Sequence, residues 1–211
     1  MRGAFFLLVL VALAVGCGGD DEPAASGNGD CESVDAPTPR EPGTYVAPTE
    51  PLDADTSYEL VFETTCGTFT VGLDTDLAPK TAASLVALAG AGYFDDTVFH
   101  RIVPGFVIQG GDPTATGTGG PGYKTVDAPP AGSRYMKGTF AMAKGGTEPA
   151  GTSGSQFFVV TGEDVGLPPD YAIVGEVTEG LGVVERIGLL GDATERPTQP
   201  VVIRRVTVSE S

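Results

Sequence analysis

Residues 56–211 read as a mainly-β domain, a closed barrel or a sandwich, carrying two helices. Three observations lead there. Apolar and polar residues alternate in short runs, the period of half-buried antiparallel strands. Those runs are punctuated by turn residues: the 211-residue chain holds 31 Gly and 17 Pro, more than a helical bundle would tolerate. Only two stretches change to a helical period, and no internal repeat is visible.

The elements follow in order. Tyr58, Leu60 and Phe62 alternate with polar neighbours, and Phe69, Val71 and Leu73 do the same. Cys66-Gly67 between them reads as a hairpin turn. In residues 78–90, APKTAASLVALAG, Leu85, Leu88 and Ala89 share a helical face, and Pro79 suits a first turn. Strand patterns then occupy residues 98–103, 106–109, 139–143, 156–161 and 172–177. Residues 181–190 read as a second, shorter helix, and residues 201–208 as the last strand.

Two segments precede this domain. Residues 1–16 run MRGAFFLLVLVALAVG, with Arg2 followed by an unbroken apolar run over residues 4–15. Twelve helical residues span about 18 Å, short of the roughly 30 Å core of a bilayer, so this is a secretion signal rather than a stable span. The run ends A-V-G-C, which resembles the lipobox of bacterial lipoproteins, with Ala14 where Leu is commoner. That resemblance implies cleavage before Cys17 and lipidation of its thiol and amine. The protein would be exported and held on the outer face of a membrane at the cell envelope, and two or more acyl chains anchor stably.

Residues 17–55 read as a flexible, extended tether. From Gly18 to Asp55 there are ten acids, one base (Arg40) and six prolines, with no apolar period. Such a composition does not bury enough surface to offset its ordering entropy. With Cys17 lipidated, Cys31 and Cys66 remain as an even pair outside the cell's reductants. Either they form a disulfide that pins the tether to the domain, or Cys66 is a buried free thiol and Cys31 an exposed one.

Composition excludes several function classes. Lys and Arg total 12 against 28 Asp and Glu, a net charge of −16, so neither nucleic acid nor anionic lipid is an electrostatic partner. One His and three Cys are too few for most metal sites, and no metal or organic cofactor is expected. A monomer is expected. A Ser-His-Asp hydrolase would have to use His100, but Gly151-Thr152-Ser153-Gly154-Ser155 lacks the last glycine of a nucleophile elbow and leads into a strand. The GTGGPG loop at residues 117–122 lacks the Lys-Ser/Thr of a phosphate loop and opens no helix. Asp95-Asp96 suits a turn.

What remains is residues 98–112, VFHRIVPGFVIQGGD. This string closely resembles the signature of the cyclophilins, a family of peptidyl-prolyl isomerases. GTFAMA at residues 138–143, TSGSQFFV at 152–159 and LPPDYAIVGEV at 167–177 resemble further blocks of that family, in the same order. The resemblance covers roughly residues 58–208. It implies a closed eight-stranded antiparallel β-barrel capped by two α-helices, and rotation about Xaa-Pro bonds in unfolded or exported polypeptides. It implies Arg101 as the catalytic arginine. Phe106, Met142, Phe158 and Leu167 would wall the proline pocket, and Gln109 would stand beside the arginine. Ala143, Lys144 and Gln156 would hold the peptide backbone, and Tyr171 occupies a position where many eukaryotic members have His. Two departures stand out: Lys144 replaces a common Asn, and Gly166 lies where several members have a Trp that contacts cyclosporin, so weak cyclosporin sensitivity is expected. The rival readings are a non-catalytic proline-binding or chaperone module and a purely structural envelope lipoprotein.

Overall fold

A computed structural model describes Met1 and residues 30–211. The rest of the expected signal peptide, the expected lipidation site Cys17 and the first part of the expected tether lie outside the described residues. No helix among the described residues is long and apolar enough to cross a membrane.

The chain forms β1 (Tyr58–Thr64), β2 (Gly67–Leu73), α1 (Pro79–Gly90), β3 (Thr97–Val98), β4 (Arg101–Val103), β5 (Val107–Gly110) and β6 (Thr125–Val126). There follow β7 (Thr139–Met142), β8 (Thr152–Ser153), β9 (Phe157–Val160), β10 (Ile173–Glu179), α2 (Leu181–Gly188) and β11 (Val202–Glu210). Nine strands join in one antiparallel sheet of order β3-β11-β1-β2-β10-β7-β9-β5-β4, and β6 pairs with β8 apart from it. The expected closed eight-stranded barrel is corrected here. The sheet curls through 296° and stays open between β3 and β4. These two strands are separated by only Phe99 and His100; Phe99 continues the pairing of β3 with β11, and the free edge of β4 is engaged by another segment. The Phe99 amide donates to the Val201 carbonyl (3.0 Å), and the Ile102 amide donates to the Glu195 carbonyl (3.0 Å). The Ile102 amide on the outer edge of β4 is therefore taken by the 192–196 segment and not by β3.

Alternation gives the sheet two apolar faces. The inner face carries Phe62, Phe69, Phe140 and Phe157, with Phe62 stacked on Phe69 at 4.7 Å and Phe140 on Phe157 at 4.9 Å. The helix α1 packs against β11 and β6, and α2 against β2, β4 and β5. A second, smaller cluster forms outside, from Val107, Tyr135, Ala141, Phe158 and Val160.

Residues 30–55 depart from the flexible tether expected over residues 17–55. They form a strap along the domain. Glu32, Arg40 and Tyr45 donate backbone hydrogen bonds to the carbonyls of Thr65, Pro113 and Pro121, at 2.7, 3.0 and 2.9 Å. The Arg40 guanidinium donates to the carbonyls of Gly92, Tyr93 and Asp95. The Tyr45 ring meets Tyr93 edge-on at 5.1 Å, and Leu52 packs against the core. Cys31 and Cys66 are joined in a disulfide. Backbone groups, ion and cation contacts, two isolated apolar side chains and one disulfide hold the strap, and none of these needs an apolar period.

Candidate active site

Strand register sets one row of side chains across the outer face. Arg101 on β4 lies opposite Gln109 on β5, Gln109 opposite Phe158 on β9, and Phe158 opposite Ala141 on β7. The β4–β5 turn uses Gly105 in the left-handed region (φ 69°) and brings Phe106 round beside this row. Above it lies an open pocket of about 250 Å³. Phe106, Val107, Phe158 and Leu167 supply apolar walls, Ala143, Lys144 and Tyr171 complete the lining, and Arg101 and Gln109 provide polar groups.

Eight of the expected site residues therefore converge. Two do not line this pocket. Gln156 lines an adjoining cavity of about 420 Å³ that shares Gln109, Ala143 and Lys144 with the first. Met142 is a correction: it is 0% exposed, pairs in register with Phe157 and packs in the inner core. It has the parity of Phe140, so it points through the sheet, away from the pocket. The wall assigned to it is supplied by Val107, which shares the parity of Gln109.

A hydrogen-bond chain runs along the site. Arg101 Nε donates to Glu195 Oε2 at 2.7 Å, and Arg101 Nη1 donates to Gln109 Oε1 at 3.4 Å. Gln109 Nε2 donates to Gln156 Oε1 at 3.1 Å, and Gln156 Nε2 donates to the Gly119 carbonyl at 3.0 Å. The loop carrying Gly119 is organised by the buried Asp112 carboxylate, which accepts from the amides of Thr114, Gly117 and Gly119 and from the Thr114 hydroxyl. Burial alone would raise the Asp112 pKa, but these hydrogen bonds outweigh it and hold the carboxyl below its usual range.

Lys144 is not a free cation. Its side chain is 2% exposed, its Nζ lies 2.7 Å from Asp170 Oδ2 and donates to the Glu148 carbonyl at 2.9 Å, and it sits 5.6 Å from the centre of the Tyr171 ring. It ties the 145–148 turn to the pocket wall. Tyr171 meets Phe158 edge-on at 5.6 Å. Beneath both lies buried Tyr135, whose hydroxyl donates to the Tyr171 carbonyl (2.7 Å) and accepts from its amide (3.0 Å). Burial raises the Tyr135 pKa, so this hydroxyl keeps its proton.

His100 faces a different cavity, with Thr116 and Pro197. Burial is the main cause that lowers its pKa; Asp112 opposes this and Arg101 adds to it. Sequence reasoning missed Val107, Tyr135 and Glu195. The parity of Gln109 could have found Val107. Nothing in the sequence around Tyr135 or Glu195 signals a role, and Glu195 lies 94 residues from its arginine. Among the described residues there is no group of three or more His, Cys, Asp or Glu side chains able to hold a metal ion.

The site thus offers an anchored cation at the edge of an apolar pocket, with no nucleophile–base pair. Comparison with known proteins points the same way. The family model for cyclophilin type peptidyl-prolyl cis-trans isomerases matches residues 59–208. A peptidyl-prolyl cis-trans isomerase-like 1 of Neurospora crassa is 42% identical over 155 residues, covering 71% of this chain and 93% of the relative. Peptidyl-prolyl cis-trans isomerase A of Mycobacterium tuberculosis is 41% identical over 162 residues, covering 68% and 87%. A crystal structure of a Cryptosporidium parvum cyclophilin type isomerase superposes with a TM-score of 0.66 at 29% identity, covering 72% of this chain and 98% of that one. The same protein has been crystallised in the presence of the dipeptide Ala-Pro.

Proposed function

Since the chain belongs to the cyclophilin-type peptidyl-prolyl cis-trans isomerases, we propose that it turns Xaa-Pro bonds with Arg101 over the Phe106–Val107–Phe158–Leu167 pocket, on polypeptides that have left the cytoplasm. Its substrates are proline-containing peptides, and the reaction breaks no covalent bond. The barrier to rotation, about 18–20 kcal/mol for a peptide bond, comes from amide resonance. Uncatalysed prolyl exchange takes tens of seconds or more.

The mechanism follows from the pocket. Proline presents a rigid apolar ring, which the four walls hold while the preceding carbonyl swings. As the bond twists, the prolyl nitrogen becomes pyramidal and its lone pair localises. An Arg101 N–H donates to that lone pair. The interaction strengthens in the twisted state, so it accelerates rather than merely binds. A 10⁴-fold acceleration requires about 5.4 kcal/mol, at about 1.36 kcal/mol per decade. One charged hydrogen bond supplies roughly 2–3 kcal/mol. The remainder falls to the pocket and to removal of water around the amide.

The observation that carries this reading is the row Arg101–Gln109–Phe158, set by register across three strands. The test compares the full chain with Arg101→Ala on a short Xaa-Pro peptide. Turnover falls about 10²-fold while peptide binding persists. An Arg101→Ala chain as active as the wild type overturns the assignment, and a folded wild-type chain that binds the peptide without turnover favours the binding-module reading. The exported location is supported by the apolar run at residues 4–15, by A-V-G-C before the domain, and by the Cys31–Cys66 disulfide, a bond that persists in oxidising compartments. Cys17→Ala should move the protein from the membrane fraction to the soluble one.

A further inference from the structure

We propose that Glu195 is a positioning residue for Arg101, a second clamp that fixes the plane of the guanidinium during turnover; this rests on the assignment of Arg101 above. Arg101 Nε donates to Glu195 Oε2 at 2.7 Å, whereas its contact with Gln109 Oε1 is long, at 3.4 Å. Gln109 alone holds one corner of the group loosely. With Nε also bound, the side chain is gripped on two edges, and rotation about its terminal torsions is blocked. Two of the five N–H groups are used and three remain for the peptide.

The segment that delivers Glu195 is built for the purpose. Residues 192–196 form a turn closed by the Asp192 carboxylate. Its Oδ1 accepts from the Thr194 amide at 2.7 Å, the Thr194 hydroxyl at 2.7 Å and the Arg196 amide at 3.0 Å. The Asp192 amide donates to the Arg196 carbonyl at 2.8 Å. These bonds hold the Asp192 carboxyl below its ordinary pKa, so the turn stays closed at neutral pH. Within the turn Glu195 adopts φ 65°, a left-handed conformation that few non-glycine residues take. Its carbonyl accepts from the Ile102 amide, next to Arg101 in sequence. The turn is thereby docked on β4, and the carboxylate is aimed at the neighbouring side chain.

Stability does not account for this arrangement. The two side chains are 34% and 51% exposed, and an ion pair so exposed contributes little to folding. The left-handed backbone at Glu195 works against the fold. A strained residue, a built turn and an exposed pair together favour a role in orienting Arg101.

The experiment measures kcat and KM on an Xaa-Pro peptide for the full chain, Glu195→Ala, Glu195→Gln and Arg101→Ala, with thermal unfolding of each. Glu195→Ala is expected to lower kcat about five- to twentyfold with KM within twofold and an unchanged melting temperature. Glu195→Gln keeps an acceptor for Nε and recovers kcat to within about threefold. The Arg101 Nε–H resonance, followed by ¹H–¹⁵N NMR, should resist solvent exchange in the wild type and the Gln variant and lose that protection in the Ala variant. Wild-type kcat in Glu195→Ala, beside a dead Arg101→Ala, overturns the proposal and leaves the active-site reading standing. Equal losses in the Ala and Gln variants also overturn it. Full activity in Arg101→Ala overturns both.

Discussion

Replacing Cys31 with Ser removes the disulfide cross-link between the far end of the strap and the β1–β2 turn. Cys31 is half-buried and Cys66 is buried, so Cys31→Ser disturbs the packing least. The bond spans a sequence separation of 35. Constraining a loop of that length in the unfolded chain is worth about 4 kcal/mol in the chain-entropy description, and native disulfides commonly deliver about 2–4 kcal/mol. In a protein of this size each kcal/mol moves the melting temperature by about 2–4 °C. A fall of about 5–15 °C is therefore expected, measured by differential scanning calorimetry without reductant; wild type with reductant should fall to match. Limited proteolysis gives a second reading. Arg40 is the only base in residues 30–55, and its guanidinium is held by three carbonyls. Trypsin should cut there early in the variant and late in the wild type. A fall of less than about 2 °C, with Arg40 still resistant, would refute the idea that the disulfide holds the strap and would assign that role to Arg40 and Tyr45.

Further outcomes are expected. Val107→Ala should lower kcat/KM several-fold and, because the side chain is buried in the outer cluster, lower stability as well, whereas Met142→Ala should lower stability by about 2–5 kcal/mol in urea titrations, because it opens a cavity in the inner core, with kcat/KM nearly unchanged. Stability should depend on His100 with a definite sign. The folded-state pKa lies below the ordinary 6.5, so the unfolded chain takes up the proton first. Its contribution is present above about pH 6.5 and is lost as pH falls through the folded value; His100→Leu should flatten the melting temperature between pH 7 and 5. Asp112, also depressed, adds a second loss as pH drops below about 4, which should remain in that variant. Cyclosporin should inhibit weakly, since Gly166 presents no side chain where a Trp would contact it; tight stoichiometric block in a titration of turnover would contradict this.

Much of the fold was legible because its signals are local. Tyr58, Leu60 and Phe62 alternate within one strand, and Leu85, Leu88 and Ala89 repeat within one helix. The two-residue strands β3, β6 and β8 are too short to show a period, and the pairing that makes them strands lies elsewhere in the chain. The site shows the same division. Arg101, Phe106 and Gln109 sit in one compact string, and Phe158 lies in another. The resemblance places Met142 among the pocket walls, but its direction depends on its place in β7, where it shares the parity of Phe140 and faces the inner core. The strap was unreadable for a different reason: most of its contacts are carbonyls, amides and charged groups, which hydropathy does not weigh, and its apolar anchors Tyr45 and Leu52 are isolated and follow no period. Glu195 depends on a turn whose meaning arises only where it meets β4.

The open seam between β3 and β4 bears on how such a protein meets extended chains. An unpaired strand edge invites a passing polypeptide to add itself as a further strand. Here the two edges are two and three residues long, and the 192–196 turn already occupies the Ile102 amide of β4. An extended chain finds no long ladder here along which to zip. The blunted seam thus limits edge-to-edge pairing, the route by which open sheets aggregate.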